Sequence, residues 1–177
     1  LLFSSIVWTQ EVQLSQRSMG NENHYSISNP SQLEGDFIAA GAYEFPSSTT
    51  NARLKRLKSN GEIVWDVYMA ADGMPNRAMH VDASGWGEGS ATVFGFMEEG
   101  DQEALIYGVA SDASILYPMK LSIPGSSFFG ETTFLHGIQS LDGSWVAVGE
   151  YKNGPNRSGV MVKLTASGAV DWSLHID

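Results

Sequence analysis

The chain has 177 residues, 42% of them hydrophobic and 11% aromatic, which is enough to bury a core and too apolar for a disordered segment. Twenty Asp and Glu against ten Lys and Arg leave a formal net charge of −10, a balance that argues against nucleic acid or an anionic membrane surface as partner, since both need a positive face. With no cysteine, disulfides and thiolate metal sites are excluded, and no apolar run approaches the roughly 20 residues that span a bilayer, so no membrane insertion is expected.

Residues 1–20 open with Ser5-Ile6-Val7-Trp8-Thr9, whose pattern returns as Glu62-Ile63-Val64-Trp65-Asp66 and as Ala169-Val170-Asp171-Trp172-Ser173. From residue 21 onward a longer pattern repeats three times. Each copy begins with a short segment, "HYSISN" (24–29), "AMHVDA" (78–83) or "TFLHGI" (133–138), with Ile27, Val81 and Leu135 in one register. Then come "LEGDFIAAGAYE" (33–44), "GEGSATVFGFME" (87–98) and "LDGSWVAVGEYK" (141–152). Gly35, Gly89 and Gly143 are 54 apart, and so are Gly41, Gly95 and Gly149. The first three glycines, each after an acidic residue, predict a turn, and the apolar run that follows predicts a strand buried on both faces.

A polar tip segment comes next: "EFPSSTTNA" (44–52), "EEGDQEA" (98–104) or "KNGPNRSG" (152–159). The closing block "LKSNGEIVW" (57–65), "VASDASILY" (109–117) or "LTASGAVDW" (164–172) reads as a hairpin whose last strand carries Trp65, Tyr117 or Trp172. Four short antiparallel strands per unit of this length, without helical periodicity, predict an all-β protein of β-propeller-type blades. The expected organisation is the outer strand of a preceding blade and a connector at 1–20, then blades at 21–72, 73–126 and 127–177. Three blades do not close a ring, so the expected partners are further blades of the same longer chain or other copies of it.

The run of Asp-Gly, an apolar strand ending in Val-x-Gly-x-Tyr, then Val-Lys-Leu-x-x-x-Gly-x-x-x-Trp resembles the blades of secreted β-propeller repeat proteins, the broad group of SBBP-like or seven-bladed propeller repeats. The third copy carries it most fully and the first nearly so; the second departs, with Tyr117 for Trp and no Gly in its last turn. The resemblance covers roughly residues 21–177. It implies a surface-exposed or secreted scaffold and therefore an extracellular or cell-surface location.

Chemistry-bearing residues are sparse in organisation. His24, His80 and His136 are spaced 56 and 56 apart on the first strands; such imidazoles could line a central channel and hold a metal, but strand-end polar residues are the preferred reading. "EEGDQE" (98–103) lacks the spacing of a calcium loop and reads as a solvated tip, with weak surface calcium the most it would bind. No cofactor and no catalytic residue is expected. Trp8, Trp65, Tyr117 and Trp172 recur once per unit, which favours packing between neighbouring sheets over carbohydrate stacking. Asn156-Arg157-Ser158 is an N-glycosylation sequon on a tip loop. The function expected from these features is a non-enzymatic extracellular scaffold or protein-interaction and adhesion module meeting a protein or glycan surface. The alternatives are a quinoprotein-like or glycan-processing enzyme, or a carbohydrate-binding lectin.

Overall fold

The computed structural model describes residues 22–28, 36–45, 50–69, 75–83, 90–98, 103–121, 130–153 and 155–176. These residues form twelve strands and no helix. The first sheet joins β1 (Glu22–Ser28), β2 (Phe37–Glu44), β3 (Thr50–Leu57) and β4 (Ile63–Met69). The second joins β5 (Asn76–Asp82), β6 (Ala91–Met97), β7 (Ala104–Val109) and β8 (Ile115–Leu121). The third joins β9 (Gly130–Gln139), β10 (Trp145–Asn153), β11 (Asn156–Leu164) and β12 (Val170–Ile176). Each is a four-stranded antiparallel meander in chain order. Trp8, Gly35 and Gly89 lie outside the described residues, as does the segment 1–20 expected to form an outer strand.

The hairpins between third and fourth strands share one geometry, set by local hydrogen bonding. Lys58 N–H donates to the Glu62 carbonyl and Gly61 N–H to the Lys58 carbonyl, both at 2.9 Å; the pairs Ala110/Ser114 and Thr165/Ala169 repeat this. Each turn needs one residue in the left-handed region. Gly61 and Gly168 take φ of 82° and 83°, and Ala113 takes 71° without the freedom of glycine. Asp112 supports that turn, its Oδ1 accepting from Ser114 N–H at 2.9 Å and Oγ–H at 2.6 Å, which holds its pKa below the usual carboxylate value. Replacing Ala113 with Gly should therefore stabilise the protein by about 0.5–1 kcal/mol, read as a higher urea midpoint at unchanged slope.

Strand β7 of the second sheet is buried along its whole length, on both faces. One face, with Val93, Leu105 and Tyr107, closes a core against Ile38, Ala40, Leu54 and Met69 of the first sheet. The other, with Phe94, Ala104 and Ile106, closes a core against Phe134, Trp145, Ala147 and Val162 of the third. The first strands run together at this stack, β1 meeting β5 and β5 meeting β9. In β3 the burial alternates because Ala52 and Leu54 point into the first core while Arg53 and Lys55 point the other way.

Every first strand carries a β-bulge beside the repeated glycine of the second strand. The irregularities fall between His24 and Ser26, between Ala78 and His80, and at Val148/Gly149, opposite Phe134 and His136. The bulge turns a carbonyl onto the neighbouring strand: a Cβ on Gly95 would lie 1.9 Å from the Arg77 oxygen, and one on Gly149 1.8 Å from the Thr133 oxygen. This close approach accounts for Gly95 and Gly149.

The register also moves two expectations. Gly41, Gly95 and Gly149 lie opposite His24, Ala78 and Phe134, so the position of His80 and His136 is occupied in the first sheet by Ser26, not His24. Likewise Gly137, not Leu135, stands where Ile27 and Val81 stand: these three face Ala147, Ala39 and Val93. Strand β9 reaches its bulge two residues later than the 54-residue spacing implies.

Candidate functional site

The first strands bring Ser26, His80 and His136 into one row crossing all three sheets. Ser26 Oγ lies 3.0 Å from His80 Nδ1, and the His80 and His136 rings stack with centroids 3.6 Å apart. Phe94 flanks His80 at 6.2 Å, and the imidazole also bonds the backbone at Gly137. His24 is placed only by its backbone register opposite Gly41, so the three histidines do not form one equivalent set. Among the described residues, no group of three or more His, Cys, Asp or Glu converges as a metal site would require.

Half-burial and the neighbouring His136 push the His80 pKa down from 6.5 to about 4, against the opposing pull of Asp82 and the Gly137 hydrogen bond. His80 is therefore neutral at neutral pH and serves as a hydrogen-bonding wedge between sheets. As pH falls below 6.5 the unfolded chain takes up this proton first, so stability drops through the window from 6.5 to about 4. Allowing for screening at this half-exposed ring, the loss should be about 1–2 kcal/mol. Urea midpoints measured across that window should fall more steeply for the parent than for His80→Asn.

Other polar groups also fasten one sheet to the next. Asn76, fully buried, accepts from Ala52 N–H at 3.1 Å and donates to the Met69 carbonyl at 3.0 Å. Asp82 Oδ2 accepts from Gln139 N–H at 2.7 Å, and Thr92 Oγ1 donates to Gln139 Oε1 at 3.2 Å. Sequence reasoning passed over Asn76, Asp82 and Gln139, because single polar residues at strand ends carry no pattern until the neighbouring sheet is in place.

The aromatic series divides. Trp65 packs against the first core and donates its indole N–H to the Ser111 carbonyl at 3.1 Å, in a hairpin of the next sheet; Arg56 reaches the same oxygen at 3.3 Å. Trp172 holds the matching place in the third sheet yet is 42% exposed, because no sheet covers that face among the described residues. Tyr117 is placed by backbone opposite Gly108, and its ring lies outside the described residues. His175, isolated in the sequence pattern, meets the Tyr151 ring edge-on at 4.9 Å.

The face of the first sheet turned away from the second is chemically different. Arg53 lies over Tyr43 and Tyr68, at 5.4 and 4.9 Å from their centroids, and its Nε and Nη2 meet Asp66 at 2.8 and 2.5 Å. Asp66 raises the Arg53 pKa, while burial and Arg53 lower that of Lys55. Glu98, at the edge of the acidic tip, pairs with Arg77. Asn156 begins β11 and is exposed, the setting a sequon needs. The chain matches no protein-family model and no curated protein.

Proposed function

We propose that the three sheets are successive propeller-type blades of a non-enzymatic, extracellular interaction scaffold. The observation that carries this reading is the use of the inner-strand row. Ser26, His80 and His136, which could have faced a reactant, instead bond and stack on one another across the sheet boundaries. Three further observations support it: the sheets pack in chain order, their first strands run together, and each unit has the same four-stranded meander. In such a scaffold the rigid strands fix where surface tips stand, and recognition belongs to the tips.

The test separates framework from tips. Replacing residues 46–49 and 99–102 with Gly-Ser segments of equal length should leave the melting temperature within about 5 °C of the parent. Trp65→Ser, which removes a packing residue, should lower it by more. On a glycan array the parent should give no signal that Trp172→Ser abolishes. Such a signal would move the assignment to a lectin, and collapse of the fold on tip replacement would contradict the scaffold reading.

A further inference from the structure

Among the described residues no sheet covers the outer face of the third sheet, and that face repeats, position by position, the face that the first sheet buries against the second. Residues directly opposite in an antiparallel ladder share a face, which gives Val146, Met161, Lys163, Trp172, Leu174 and Ile176 on this one. Their counterparts in the first sheet are Ile38, Leu54, Arg56, Trp65, Val67 and Met69, related by the same ladder pairs. In the first sheet Ile38, Leu54 and Met69 are wholly buried, and Trp65 and Val67 pack against the same core. In the third, Trp172, Leu174 and Ile176 are 42%, 53% and 52% exposed.

Chemistry that binds a sheet in one place and stands open in another identifies its occupant. We infer that this face is a docking surface for a further four-stranded unit of the same repeat, entering as the second sheet enters on the first. The incoming face must be apolar at the positions of Leu105 and Tyr107, which are Val160 and Val162 in the third sheet. It must also present a hairpin carbonyl like that of Ser111, which the Trp172 indole would meet as Trp65 does. A second copy of the chain does not supply this. The face of its first sheet turned away from the second carries Arg53 and Lys55 at those two positions, opposite Gly41 and Ala39, and would set two cations against Met161 and Leu174.

This inference rests on the blade reading, but its test has a separate readout. The chain is extended beyond Asp177 by a second copy of residues 73–126, and Trp172 is followed by 19F NMR of 5-fluorotryptophan, assigned through Trp172→Phe. The Trp172 signal should lose its solvent-isotope shift in the extended protein. It should keep that shift when the appended copy carries lysine at the positions copied from Leu105 and Tyr107. Unchanged exposure in the first protein, or equal protection in both, overturns the proposal, as does protection of Trp172 by self-association of the parent. A second measurement does not depend on the appended copy folding. Trp172→Asp in the parent should leave the melting temperature almost unmoved, whereas Trp65→Asp should lower it steeply. Equal losses would show the third face already covered and overturn the proposal. Tip replacement bears only on the scaffold reading, so the two ideas fail separately.

Discussion

Gly95→Ala should destabilise the protein by about 3 kcal/mol, a fall of roughly 10 °C in melting temperature, although it adds a single methyl group. The methyl carbon would lie 1.9 Å from the Arg77 oxygen, 3.0 Å from its carbon and 3.2 Å from Ala78 Cα, all backbone atoms that no rotamer change can move. Relief requires flattening the bulge in β5, and the bulge sets His80 opposite Phe94 at the boundary with the third sheet. The damage therefore spreads from one sheet to its packing. Gly149→Ala should behave alike, since its methyl would meet the Thr133 oxygen at 1.8 Å. Gly61→Ala is the informative contrast: a Cβ there meets nothing within 4 Å, and only the φ of 82° opposes it. That variant should lose about 1 kcal/mol, and urea denaturation of the three proteins side by side checks the ranking.

The second large effect is a compensating pair between sheets. Phe94 is wholly buried, and a Cβ on Gly137 would fall 2.3–2.5 Å from three of its ring carbons. The equivalent positions one boundary earlier are Ala40 and Val81, both fully buried in the first core. Each boundary thus fills the same gap with one large and one small residue, but with the large one on opposite sides. Gly137→Val alone should cost about 3 kcal/mol through overpacking, and Phe94→Ala alone about 3–5 kcal/mol through the cavity it leaves. Together they rebuild the Ala40 and Val81 arrangement. The double variant should be more stable than the sum of the two losses by about 2 kcal/mol, a coupling read from a double-mutant cycle. Strict additivity would mean that Phe94 and Gly137 do not touch.

The strands and their grouping were legible in the sequence because each unit spells out local rules. Apolar runs such as Phe37–Glu44 and Ala91–Met97, bounded by turn residues, mark strands whichever sheet they join. The glycines at 41, 95 and 149 were equally visible, although the cause at Gly95 and Gly149, a carbonyl carried over by a bulge, appears only in three dimensions. The histidine row was misread for the same reason. A bulge inserts one residue into a strand without leaving a mark in composition: the 56-residue spacing puts His24 two residues before the place of His80, a step that keeps one face in a regular strand, but the bulge lies within that step and the ladder aligns Ser26 with His80. The sheet-to-sheet bonds of Asn76, Asp82 and Gln139 depend on contacts between residues far apart in the chain, which no local pattern encodes. Trp65 and Trp172 look alike in sequence and differ in burial because burial belongs to the neighbouring sheet.

The repeats pack face to face in chain order, with the bulged first strands in register. The most direct measurement is the NMR signal of the Gly137 α-protons. Packed beneath the Phe94 ring, one of them should be shifted strongly upfield by the ring current and should show nuclear Overhauser contacts to the Phe94 ring protons; both signs should vanish in Phe94→Ala. Gly137 α-protons at their random-coil position, with no contact to Phe94, would contradict the packing of the second sheet on the third.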